Sequence, residues 1–200
     1  MNLTLSNLIP HALFTVRDPQ EAARRLMALD LPRDVLWQLL FLVVVVSVLL
    51  AEVSNGLLAL ATGMPSQGLF LSPFAMGAVQ LTLLILAVFA IHGVGRAMGG
   101  DGRFEDALLL TAWLQFIMAC LQVLQVLALL VLPAIAWLIG VAGLILFMWL
   151  LMHFVAVIHG FRSLGRVFAM IVVTMFGAAV VLSLLMALFG VQIPEVTQSV

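Results

Sequence analysis

The sequence predicts an all-α membrane protein: a bundle of five transmembrane helices preceded by a short amphipathic helix. Three observations carry this. The chain is 65% hydrophobic and only 8% charged, against about 25% charged residues in ordinary soluble domains. Its apolar residues fall into five long runs. Its arginines fall in alternate gaps between those runs. A soluble domain of 200 residues could not hide this much apolar surface, because a small globule still needs a polar skin. A bilayer removes that need, and roughly 20 apolar residues span it as a helix.

The runs are Val35–Ala61, Pro73–Val94, Ala107–Leu132, Ala134–Ile158 and Val167–Phe189. Turn-forming stretches separate them: Thr62–Gly68, Gly99–Gly102, Pro133 and His159–Ser163. Strands of a membrane barrel would alternate polar and apolar residues, whereas these runs are apolar on every side, so they read as helices. The organisation expected is an N-terminal segment at 1–34, a five-helix transmembrane domain at 35–190 and a tail at 191–200.

Orientation follows from charge. All eight basic residues are arginine. Arg17, Arg24, Arg25 and Arg33 precede the first run, Arg96 and Arg103 flank the second gap, and Arg162 and Arg166 lie in the fourth. The first and third gaps and the tail carry none. With five spans every arginine falls on one side, which the positive-inside rule makes the cytoplasm. One span more or fewer would scatter them. The N-terminus is therefore expected in the cytoplasm and the C-terminus in the periplasm, in a multi-pass protein of the inner membrane. No short apolar stretch with a cleavage site precedes Val35, so no removable signal peptide is expected.

Within the N-terminal segment, Asp18 can cap a helix opened by Pro19, with Glu21 three residues on. Ala22, Leu26 and Leu29 share one side of it. Pro19–Leu29 is therefore expected to lie as an amphipathic helix on the cytoplasmic surface.

Polar groups inside apolar runs are the candidate functional positions. Glu52 lies near the outer end of the first run, where it serves either as an interfacial polar cap or as an ion-handling carboxylate. Thr111, Gln115, Gln122 and Gln125 are spaced by four, seven and three residues, which at about 100° per residue places them on one stripe. That stripe reads as helix–helix glue or, with Gln80, as a polar path for a solute. His92, His153 and His159 sit near cytoplasmic helix ends and are expected to make interfacial hydrogen bonds. With Glu105 and Asp106 they match no metal-binding spacing. Trp37 and Trp137 read as aromatic-belt residues, Trp113 and Trp149 as packing residues.

Several classes are excluded or unsupported. Net charge is −1, so no nucleic-acid partner is expected. The single cysteine, Cys120, cannot form an intrachain disulfide. No catalytic grouping is visible, Ser163 near His159 lacking a third orienting group. Gly99–Gly102 lacks the lysine of a phosphate loop. No cofactor, metal or enzymatic activity is expected.

Gly99-Gly100-Asp101-Gly102-Arg103-Phe104-Glu105-Asp106-Ala107-Leu108, running into Ala112-Trp113-Leu114-Gln115, resembles the bacterial branch of the Yip family (Ypt/Rab-interacting proteins), where a glycine-rich loop with an aromatic residue opens the third of five spans. Asp18-Pro19-Gln20-Glu21-Ala22 resembles that family's helix before the first span, and His159-Gly160-Phe161 with Ser163 its link between the last two. The resemblance implies a five-helix membrane domain. Eukaryotic relatives bind Rab-type GTPases, but this chain has a short N-terminal segment, lacks their aspartate-leucine-tyrosine-glycine signature and contains no tyrosine, so Rab binding is not carried over. The expected function is a non-enzymatic scaffold or membrane-organising protein whose partners are the lipid bilayer and a second copy or other membrane proteins. The alternative is a small transporter, channel or lipid-handling protein using the third-span stripe.

Overall fold

The computed structural model describes residues 5–62 and 72–188. Most of the first gap, the end of the fifth run at Phe189 and the tail lie outside the described residues. Seven helices are formed among the described residues: α1 (Leu5–Arg17), α2 (Pro19–Met27), α3 (Arg33–Thr62), α4 (Pro73–Ala97), α5 (Phe104–Val131), α6 (Pro133–His159) and α7 (Leu164–Leu188). Of these, α3 to α7 are long and apolar enough to cross a membrane. They match the five apolar runs in order.

Local chemistry sets the helix ends. Asp18 caps α2, its carboxylate accepting from the Glu21 N–H at 3.0 Å, with Pro19 at the first helical position. Glu21 in turn accepts from Arg25 at 2.8 Å and Arg24 at 3.2 Å. Those two bonds, Arg25 first, hold its carboxyl below the usual range. Their support for α2 is therefore present above the ordinary glutamate pKa and fades as pH falls through the lowered one. Ser72 caps α4 and Ser163 caps α7, each hydroxyl accepting an N–H three residues on at 3.3 Å. That cap is a structural use for Ser163 beside His159. Pro133, which cannot continue α5, opens α6 instead.

The core is built around the first half of α5. Ala107 to Leu114 are buried without interruption, Ala107 and Leu108 completely. Helices α3 and α6 pack along α5, and α4 and α2 cover the remaining sides at this end. Leu26, Leu36, Leu40, Val88, Leu150 and Phe154 close the cluster. The outer faces are the reverse: Phe41, Leu49, Val131, Trp137, Leu144 and Phe176 are all more than half exposed. An apolar band of that extent is untenable in water and suits lipid.

The N-terminal segment departs from expectation. The apolar side of α2 (Ala22, Ala23 and Leu26) is buried against α5 and α6 instead of facing lipid. Its neighbour α1, which the sequence does not announce because Pro10 interrupts it, carries the outward apolar stripe of Ile9, Leu13 and Val16. The opposite side of α1 buries Ala12 and Thr15. Thr15 accepts a hydrogen bond from the Trp113 indole N–H at 3.0 Å and donates to the His11 carbonyl at 2.8 Å. A buried indole needs such an acceptor. Trp113 is thus the packing residue expected, whereas Trp149 is 45% exposed and rests on the lipid side against the His153 ring, centroids 4.2 Å apart.

The bond that ties α1 to α5 has a measurable strength. Thr15→Val and Trp113→Phe should each lower the unfolding midpoint in detergent, with a coupling in the double variant of about 1 kcal/mol. Strict additivity of the two losses would mean that the hydrogen bond does not stabilise the docking of α1.

Candidate functional site

Two segments that carry the sequence motifs, Gly95–Phe104 and His159–Phe161, meet at the end of the bundle where Arg33, Arg96 and Arg103 lie. Each is shaped by a glycine in the left-handed region. Gly160 (φ 69°) ends α6, and the Phe161 N–H returns to the Ala156 carbonyl at 2.9 Å. This reversal lays the Phe161 ring on the His159 imidazole, centroids 5.6 Å apart and nearly parallel at 16°. Gly99 (φ 88°) ends α4 in the same way: the Gly100 N–H bonds the Gly95 carbonyl and the Gly99 N–H bonds the Arg96 carbonyl, both at 3.0 Å.

These two turns put His159 into a cradle of three glycines. A β-carbon on Gly95 would overlap the imidazole, one on Gly100 would lie 2.5 Å from the histidine Cβ, and one on Gly102 would lie 2.8 Å from Nε2. The glycines therefore exist for close approach. His159 is only 5% exposed. Its Nδ1–H donates to the Val155 carbonyl at 3.2 Å, and its Nε2 is buried without a hydrogen-bond partner among the described residues. The hydrogen bond made by this histidine is thus to its own helix, and the rest of the ring is packed against the glycines.

Phe104 is the second organising residue. Its ring meets Phe89 (5.2 Å), His92 (5.8 Å, edge-on) and Trp37 (6.3 Å). The Arg33 guanidinium lies 5.5 Å above the ring and pairs with Glu105 at 2.6 Å. Arg103 bonds Asp30 at 3.1 Å and approaches Glu105 at 4.0 Å. The Asp30 bond, then the Asp106 charge, raises the Arg103 pKa above its ordinary value. These exposed pairs contribute little energy each, but they tie the α2–α3 turn to the start of α5. Between the α4 end and the α5 start lies an open polar cleft of about 550 Å³, bordered by His92, Arg96, Gly99–Gly102, Arg103, Phe104 and Glu105.

The other candidate positions are dispersed. The third-span stripe divides between two neighbours. The Gln115 amide donates to the Ser47 hydroxyl at 3.2 Å and the Gln122 amide to the Ser47 carbonyl at 3.3 Å, both on α3. Gln125 faces the other way, its amide against Gly140 of α6. Thr111 is 6% exposed and lies near Ile91, Leu151 and Phe154, its hydroxyl without a hydrogen-bond partner among the described residues. Gln80 is half-buried on α4. Glu52 is exposed near the far end of α3 and joins none of these groups. His153 is buried, and its Nδ1–H donates to the Trp149 carbonyl at 2.7 Å. Asp106 is half-buried in the first turn of α5 beside Glu105. No group of three or more metal-ligating side chains occurs among the described residues.

Sequence spacing alone does not single out His159, Phe104 or Ser47 as organising positions. The available signal was the glycine spacing at 95, 100 and 102, which marks a close approach without naming what approaches.

Seven helices among the described residues, five of them long and apolar enough to cross a membrane, with a glycine loop that receives the end of the fourth span, define a polytopic helical membrane protein. A family model described as the Yip1 domain matches residues 14–192, and the chain belongs to that family. No curated protein and no solved structure gives a significant match.

The cradle can be tested by size exchange. Gly95→Ala should destabilise the protein by about 1–3 kcal/mol through overpacking. Combined with His159→Ala, which empties the space, the loss should be smaller than the sum of the two single losses. Thermal unfolding of the four proteins in detergent measures this, and a Gly95→Ala variant as stable as the parent would refute the close approach.

Proposed function

We propose that this Yip-family protein is a non-enzymatic scaffold or membrane-organising protein of the inner membrane, acting through helix–helix contacts. Its N-terminus lies in the cytoplasm and its C-terminus in the periplasm. The observation that supports the reading is the use made of two members of the third-span stripe: Gln115 and Gln122 both direct their amides to Ser47 of α3. Amides used as glue between α3 and α5 are not lining a water-filled path. The ionisable Glu52 stands apart from them, where a relay would need it close. At the same time α7 touches the bundle chiefly through Val167, Met170 and Ile171, leaving Val173, Met175, Phe176 and Leu184 outward. That face is available to lipid, to a second copy or to another membrane protein.

Photo-crosslinking from position 176 in native membranes is expected to trap a second copy or a defined membrane partner. Failure to trap either from any outward position of α7, together with solute flux into liposomes that Gln115→Leu abolishes, would replace the scaffold by the transport reading. For topology, alkaline phosphatase fused after Val200 should be active in the periplasm, and an inactive fusion that is fully synthesised would contradict five spans.

A further inference from the structure

We propose that the cleft between α4 and α5 binds the headgroup of a zwitterionic aminophospholipid, a phosphate with a primary ammonium beside it. This reading is independent of the scaffold proposal.

The charges around the cleft select the ligand. Arg33 is committed to Glu105, and Arg103 to Asp30. Two charged side chains on the rim remain, Arg96 and Asp101. Neither has an ion-pair or side-chain hydrogen-bond partner among the described residues, and both are exposed. The cleft therefore offers one uncommitted cation and one uncommitted anion. A guanidinium matches phosphate oxygens in a bidentate fork. A carboxylate matches an ammonium that still carries N–H donors. The loop adds the backbone N–H groups of Asp101 and Gly102, which make no hydrogen bond among the described residues, unlike those of Gly99 and Gly100. A headgroup bearing only negative charge would leave Asp101 opposed to it. A trimethylated ammonium would offer Asp101 no donor.

Position selects the lipid over a free solute. Arg96 is in the last turn of α4, and Arg103 precedes the first turn of α5. Both are at span ends, the level at which headgroups lie. Phe104 on the cleft wall meets Phe89 in a tilted ring contact, and Phe89 is 55% exposed on the lipid side. Acyl chains can thus run along α4 while the headgroup sits in the cleft.

Native mass spectrometry of the full chain, released from nanodiscs of equal parts phosphatidylethanolamine, phosphatidylcholine and phosphatidylglycerol, tests this. Phosphatidylethanolamine should be the retained lipid. Arg96→Gln should weaken retention of phosphatidylethanolamine and of any phosphatidylglycerol by about tenfold, and Asp101→Asn should weaken phosphatidylethanolamine alone by a similar factor, as expected for loss of one charge-assisted hydrogen bond. Both side chains are exposed, so the variants should keep the parent's melting temperature. Equal retention of the three lipids, preference for phosphatidylglycerol, or an Asp101→Asn variant that retains phosphatidylethanolamine unchanged would overturn the proposal. Displacement of the lipid by an equal concentration of soluble phosphoethanolamine would overturn the lipid assignment.

Discussion

Everything at the arginine-bearing end depends on the first half of α5 being enclosed on all sides. From Ala107 to Leu114 every residue is buried, the most exposed being Trp113 at 8%. One helix cannot be enclosed in this way by two neighbours, so α3 and α6 along its length must be supplemented by α4 and α2. In lipid the association of these helices draws on packing and hydrogen bonds, since hydrocarbon tails are as apolar as leucine. That explains why the residues around this segment are tightly fitted and why α2 presents a small residue, Ala23, to the cluster.

Enclosure creates a problem at the helix termini, where chain reversals must occur in a crowded space without side chains filling it. Glycine solves it twice. Gly99 and Gly160 make the reversals, and Gly95, Gly100 and Gly102 clear the volume that His159 occupies. The His159 ring then serves as a wedge between the α4 end and the α5 start, held in place by Phe161 from behind. Phe104 plays the corresponding part on the other side, joining α3, α4 and α5 through one aromatic ring. The open cleft beside these wedges is a consequence of the same construction: glycines that make room for His159 on one side leave a hollow on the other.

Much of the local structure was legible. The apolar runs became α3 to α7, the Asp18-Pro19-Glu21 pattern became the cap of α2, and Pro133 became a helix start. Less of the site was. The amphipathic pattern of α2 says that one side wants to leave water, and a protein surface satisfies this as well as a bilayer does. The glutamine stripe says that polar groups share a side of α5. Yet its two edges look toward different helices, so Gln122 meets α3 while Gln125 meets α6. Trp149, apolar and mid-run, cannot be assigned to core or lipid by hydropathy, because both environments accept an indole ring.

By itself the sequence determined the number and order of the membrane-crossing helices, the cap that opens α2 and the placement of the arginines in alternate gaps. Those properties depend on hydrophobicity, capping and turn chemistry, all of which act between residues near each other in the chain. Only the tertiary structure decided which side of each helix meets protein, that Trp113 would find Thr15, that Arg33 would pair with Glu105, and that three glycines would receive His159. Inside a bilayer, hydropathy no longer separates the buried face from the exposed one. The choice passes to shape and hydrogen-bond matching between residues far apart in the chain, and these are settled only when the helices come together.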